Sequence, residues 1–202
     1  MGLQNRVTPD ARIVSQSWRG TFMGNRGGRI HDPETRTLLR RKWASKRWIC
    51  CVLSFQDRKR TVMGNSYTEL FFLDEVSALA AGHRPCFECR RNDANRFAQI
   101  WETAFGHIQG SRADAIDRVL HAERIATPQK LDRGTTEKLP DGCMIRVEDE
   151  MLAKKENKWL VWSGEGYQTP RDIAGMAELL TPSSIVALLR HGYRPAWHRS
   201  AG

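Results

Sequence analysis

Cys86 and Cys89 stand two residues apart just beyond Asp74 to Gly82, a stretch that carries both ends of a short helix. Asp74 is an N-cap residue, Gly82 suits the turn that ends a helix, and Ala78, Ala80 and Ala81 favour helix between them. The pair is therefore expected on a loop leaving the helix. Two thiolates at this spacing can hold one Zn2+ at about 2.3 Å while nearby backbone N–H groups bond the sulfurs. Two ligands do not complete a site, and the same spacing also suits a redox pair or two small buried side chains. A thioredoxin-like pair precedes a helix inside a βαβ unit, and Phe71 to Arg91 lacks the following parallel strand.

The pattern Phe71-Phe72, an alanine-rich helix, then Gly82-His83-Arg84-Pro85-Cys86-Phe87-Glu88-Cys89-Arg90 resembles the second half of the zinc domain of Ada-type DNA alkyl-damage repair proteins. The likeness covers about 20 of the 202 residues and runs without a gap. In that family an earlier Cys-x3-Cys completes a four-thiolate zinc site, and one zinc-bound thiolate takes a methyl group from a DNA phosphotriester. This chain has no Cys-x3-Cys. The resemblance implies a shared fold element and zinc, but a site with three sulfurs, or a mixed one, would be less nucleophilic. Over its full length the chain also resembles a bacterial family with no established activity, which supplies no mechanism.

Cys50 and Cys51 lie in the upstream segment Arg47 to Phe55, whose β-branched and aromatic residues read as a strand. Neighbours on a strand face opposite ways, so only one of them is expected to reach Cys86 and Cys89. Cys51 shares a face with Ile49, Leu53 and Phe55 and is preferred, on the expectation that the helix and its loop pack against the more apolar face. His31 and His83 are candidate fourth ligands, and Cys143 is expected in the core without a metal role. Five cysteines, two of them adjacent, do not form a secreted disulfide framework, and the expectation is reduced thiols in the cytoplasm. No apolar run approaches the roughly 20 residues that span a bilayer, Met1 to Val14 lacks a signal-peptide core, and Arg6 stands where a myristoylation signal wants Ser or Thr.

The fold class read from the chain is α+β: a small strand pair with the Cys-x2-Cys turn, a helical middle, and a C-terminal β-rich unit with a final helix. Residues 1–126 form the basic N-terminal region with the metal motif and helices, 127–141 a linker or long loop, and 142–202 the β-rich unit. The opening "RGTFMGNRGGRIHDPET" reads as loop with short extended pieces. Arg36 to Lys46 has Leu38, Leu39 and Trp43 near helical spacing, and "TVMGNSYTELFFL" reads as a return strand or hairpin turning at Gly64-Asn65. Asn92 or Asp93 is expected to cap a helix with Phe97, Ile100, Trp101, Ala104 and Phe105 on one face; Ala113 to Ile125 is a third helix with Ile116, Val119 and Leu120 inward. "CMIRV", "KWLVW" and "GYQTP" read as strands, and a last helix begins at Thr181-Pro182 and ends at Gly192.

Residues 1–60 hold 14 Lys and Arg against 4 acids, while 61–202 hold 18 against 19, so the first third accounts for all of the net +9. Its basic residues, Arg36, Arg40, Arg41, Lys42, Lys46, Arg47, Arg58, Lys59 and Arg60, interleave with Trp43, Trp48 and Phe55, the mixture that neutralises phosphates and stacks on bases. The function expected is nucleic-acid binding, DNA favoured over RNA, with a structural zinc site and a place in DNA repair or processing. The alternative is an enzyme with a pocket between the helical middle and the C-terminal unit, for which no complete catalytic motif is present. Asp114, Asp117 and His121, at i, i+3 and i+7, could share a groove as ligands or acid/base groups, but a solvated helix face is the preferred account of them. Gly24 to Gly28, "GNRGG", could cradle a phosphate with Arg26 but lacks the Lys and Ser/Thr of a P-loop.

Overall fold

The glycine-rich opening is more ordered than its composition suggests. A computed structural model describes residues 2–59 and 61–202, and in it β1 (Gln4–Val7), β2 (Ile13–Ser15) and β3 (Phe22–Arg26) build half of the first sheet. β4 (Trp48–Cys51), β5 (Leu70–Phe72) and β6 (Arg84–Pro85) complete it, in the order β2-β1-β5-β3-β4-β6. Gly24 is required where β3 meets β4, since a Cβ there would lie 2.0 Å from the Ile49 carbonyl oxygen. The strand read at Arg47 to Phe55 is confined to β4. Its neighbours are β3 and β6, whereas β5 pairs with β3 and β1, so no hairpin joins β4 to β5.

Arg36 to Lys46 is not helical. Its amides bond outward instead, Leu39 N to the Ile30 carbonyl and Ala44 N to that of Arg26, both at 2.9 Å, and an isolated bridge joins His31 to Leu38. With these donors committed to Ile30 and to the end of β3, the segment cannot close helical turns.

Helix α1 (Glu75–Ala80) starts at Asp74 in a capping box with Ser77, and Gly82 takes a φ of 78° beyond its end. Helix α2 (Arg91–Phe105) has Arg90 at its N-cap with no side-chain cap, so Asn92 and Asp93 lie inside it. Its buried face holds Phe97 and Trp101, but Phe105 is 53% exposed. Helix α3 (Arg112–Ile125) buries Ile116, Asp117 and Leu120. Val119 is left 43% exposed because the helix is rotated to bring Asp117 onto Arg84, which holds it at 2.9 and 2.7 Å.

Residues 127–141, read as a linker, contain β7 (Lys130–Leu131) and α4 (Arg133–Glu137) and bury Leu131 and Leu139. β8 (Met144–Val147), β9 (Glu150–Lys155), β10 (Lys158–Ser163), β11 (Gly166–Pro170) and β12 (Ala177–Leu179) join β7 in a second sheet, ordered β11-β10-β9-β8-β12-β7. Helix α5 (Ser183–Arg190) covers it. One core runs from Phe97 and Trp101 through Ile116 and Leu120 to Cys143, Ile145, Leu152, Ile185 and Leu188, so α2 and α3 share their interior with the second sheet. A smaller core under the first sheet holds Val7, Cys50, Leu70, Phe72, Ala78 and Ala81. The fold is α+β, with two six-stranded sheets among the described residues.

Candidate metal centre and basic groove

Parallel pairing of β4 with β6 assembles the cysteines. Ile49 lies opposite Arg84 and Cys50 opposite Pro85, and Cys86 N donates to the Cys50 carbonyl at 3.0 Å. The next residue along each strand is then a cysteine. The sulfurs of Cys51, Cys86 and Cys89 lie within 4.8 Å of one another, the one cluster of that kind among the described residues, and could hold a metal ion. Cys50 does not join them. It faces the smaller core, where the Arg90 guanidinium donates to its sulfur at 3.5 Å. Cys51 joins the cluster for a different reason from the one expected, since Ala78 of α1 and Ala81 just beyond it pack on the Cys50 face, while Cys51 faces a cavity. Cys143 is fully buried in the large core.

The three thiols are electrostatically one unit. Hydrogen bonds from Cys51 and Cys89 hold the Cys86 thiol down to about 2, and Glu88 N also donates to it at 3.4 Å. Cys51 is pushed far up by its bonds to Cys86 and Cys89 and by burial. Cys89 is also raised: its bond with Cys51 lowers it, but its bond with Cys86 and burial outweigh that. The hydrogen bonds thus favour a single thiolate shared by the trio, with the other two sulfurs protonated.

Neither histidine completes this cluster. His31 is committed to Thr68 Oγ1 at 2.6 Å and the Gly64 carbonyl at 2.8 Å. His83 is buried between Trp48 and Phe72, with ring centroids 5.0 and 4.6 Å away, and neither of its nitrogens is hydrogen-bonded among the described residues. Beside the cysteines opens a cavity of about 220 Å3, walled by Met23, Phe55 and Phe71 and carrying Arg58, Glu69 and Glu88. Glu69 accepts from Met63 N through Oε2 at 2.7 Å, and its buried Oε1 has no partner among the described residues. Arg58 pairs with Glu88 at 2.7 Å.

The basic residues expected on one face divide into several places. Arg40, Arg41 and Lys42 line a groove of about 1090 Å3 together with Trp43. Lys46 and Arg47 line a separate cleft, where Arg47 pairs with Asp114 at 3.0 Å. Arg58 belongs to the cysteine cavity, Arg36 and Lys59 are exposed, and Arg60 lies outside the described residues. The groove also gathers Arg12, Arg26 and Arg124, which the clustering argument does not reach because they come from distant segments. The one sequence signal among these three is Arg26 in "GNRGG". Six cationic side chains and one carboxylate, Asp10, line the groove among the described residues, and Asp10 is bonded to Arg12 at 2.7 Å and Arg146 at 3.3 Å. Trp43 stands 36% exposed on its wall, edge-on to His121 at 5.3 Å.

Between α3 and the second sheet lies a cleft of about 390 Å3 lined by Glu123, Arg146 and Glu178, among others. Its acids are engaged: Glu123 accepts from Ser184 at 2.9 and 2.6 Å, and Glu178 from Arg146 at 2.7 Å. Asp114, Asp117 and His121 do not form a joint site, since each has a different neighbour: Arg47, Arg84 and Trp43. No helix among the described residues is long and apolar enough to cross a membrane. No family model, no curated protein and no solved structure matches this chain.

Proposed function

We propose that this is a nucleic-acid-binding protein with zinc at Cys51, Cys86 and Cys89. The groove carries the reading: Arg40, Arg41, Lys42, Arg12, Arg26 and Arg124 surround an exposed tryptophan with almost no opposing acid. That combination supplies counter-ion release along a phosphate backbone and a π-face for an unpaired base, so single strands are the preferred ligand. Zinc suits the donor set, because three thiolates from two segments match its soft tetrahedral chemistry and would pin β4 to the turn after β6. The preference for DNA over RNA, and a place in repair, rest on the Ada-type resemblance alone. The test is binding of labelled single- and double-stranded DNA and RNA to metal-analysed protein over a salt series. Affinity should fall steeply with salt and be greatest for single strands; affinity that ignores salt would refute the reading.

An enzyme reading at the cysteine cavity, rather than at the cleft between the helical middle and the C-terminal unit, is favoured by one observation: Glu69, whose buried Oε1 has no hydrogen-bond partner among the described residues, lines the same cavity as the three cysteines. A three-thiolate zinc site leaves a fourth position, and a buried carboxylate beside it is placed to handle a proton. Cobalt-substituted protein distinguishes the readings. Its visible spectrum should change with added cyanide if that position opens to the cavity, and stay unchanged if the site is closed and structural.

A further inference from the structure

No carboxylate is hydrogen-bonded to Arg26 or Arg124 among the described residues; their hydrogen bonds run to backbone carbonyls. Arg26 Nη2 donates to the Ala11 carbonyl at 2.7 Å, and Arg124 donates to the carbonyls of Gly82 at 2.9 Å and Lys46 at 3.0 Å. Both guanidiniums lie over Trp48, at 3.9 and 4.7 Å from its ring centroid. Arg26 Nε and Arg124 Nη2 are buried with no hydrogen-bond partner among the described residues, and Arg26 as a whole is 2% exposed. The nearby acids are committed elsewhere: Asp117 to Arg84, Glu123 to Ser184, and Asp10 to Arg12 and Arg146.

His83, stacked on the same Trp48, cannot supply a negative charge, and burial followed by the charges of Arg26 and Arg124 keeps its ring neutral. Burial, then the charge of Arg124, lowers Arg26 to about 9; burial also takes Arg124 to about 9, against the pull of Asp117. A guanidinium keeps its proton at neutral pH even so. Two positive charges therefore line the groove with no carboxylate bonded directly to either among the described residues, although Asp117 and Glu123 act on Arg124 from a distance, and such an arrangement is costly unless an anion completes it.

We propose that Arg26 and Arg124 form a subsite for a phosphomonoester, the terminal phosphate of a nucleic-acid strand or of a nucleotide, with the adjoining base stacked on Trp43. A monoester dianion offsets both charges, whereas a diester inside a chain brings one. Depth argues for an end, since Arg26 lies almost wholly below the surface and a continuous strand would have to loop inward to reach it. Trp43 lies next to Trp48, ring centroids 6.2 Å apart, which puts the stacking surface beside the phosphate position. The strand-end form of the inference rests on the nucleic-acid reading of this groove.

The test compares one single-stranded sequence carrying a 5′-phosphate, a 3′-phosphate or only hydroxyl ends, with a nucleoside monophosphate as a separate arm followed by thermal shift. A phosphorylated end should bind about tenfold tighter than the hydroxyl form, as expected for charge-assisted hydrogen bonds to two guanidiniums. Arg124→Gln, at a partly exposed position, should remove that preference in protein whose melting is still cooperative, and Arg26→Gln should do the same if it folds. Equal affinity for all ends overturns the inference and leaves the nucleic-acid reading standing. A preference that survives Arg124→Gln also overturns it. Stabilisation by the monophosphate that is lost in Arg124→Gln, with no strand bound at all, supports the subsite and overturns the nucleic-acid reading.

Discussion

Zinc binding should release two protons at neutral pH. In the metal-free cluster Cys86 is held as a thiolate by hydrogen bonds from its neighbours, whereas Cys51 and Cys89 are both raised. A metal takes all three sulfurs as thiolates, so two protons must leave. The sign follows: affinity rises with pH while the metal-free cluster keeps its two protons, by about two decades in Kd per pH unit, or about 2.7 kcal/mol. Calorimetric titration in buffers of different ionisation enthalpy counts the protons, and repeating it from pH 6 to 8 gives the slope. Release of three protons would mean that the trio does not share a charge, and release of none would mean a preformed trithiolate; either refutes the reasoning. Substitution adds a control. Cys51→Ala should lose stoichiometric zinc, while Cys50→Ala, which removes a buried sulfur whose polar contact is Arg90, should keep both the zinc and the two-proton count.

Charge reversal of Arg40, Arg41 and Lys42 together should lower the slope of log K against log salt by about 2 for a single strand, at about 0.7 per phosphate contact, whereas reversal of Lys59 alone, which does not line the groove, should change little. Trp43→Ala should weaken single-strand binding by about 1–3 kcal/mol per stacked base and leave duplex affinity nearly unchanged, checked by fluorescence anisotropy. Asp74→Ala removes the acceptor for Ser77 N, Ser77 Oγ, Tyr167 Oη and His198 N, and should cost about 3–5 kcal/mol in chemical denaturation, because a cap is lost and buried donors are left unpaired.

The part of the site that could be read from the chain is the part made by short-range rules. Asp74 and Gly82 delimit α1 through their own backbone chemistry, and strand alternation separates Cys50 from Cys51. What alternation cannot give is which face looks at what; that depends on β6 lying parallel to β4, a pairing made by two residues too short to leave a periodic signal. Arg36 to Lys46 shows the same limit from the other side, since its apolar spacing suits a helix but its amides are claimed by Ile30 and Arg26 carbonyls. The groove was half legible for that reason. Its contiguous cations could be seen, whereas Arg124 enters from the last turn of α3 and only tertiary folding puts it on Trp48.

The residue after the second cysteine of the pair joins the metal turn to the rest of the molecule. Arg90 donates to Glu75 at 2.8 Å, and Glu75 also accepts from Tyr193 Oη at 2.6 Å and Ala196 N at 2.8 Å, which ties α1 and the start of α2 to the C-terminal tail. Both side chains of this pair are almost fully buried, and although Arg90 also bonds Asp93 at 2.8 Å, removing Arg90 leaves the Glu75 charge uncompensated, at about 3–5 kcal/mol. Arg90→Met should therefore destabilise the fold by about that much. Glu75→Gln removes the charge and keeps one acceptor oxygen, for Ala196 N, while its amide can donate to the Tyr193 hydroxyl, so adding it to Arg90→Met should recover stability instead of losing more. A double-mutant cycle in denaturant measures the difference, and additive losses would refute the coupling. If the coupling holds, the arginine that follows Cys89 has a structural duty to the whole chain, independent of whichever anion or metal the neighbouring residues hold.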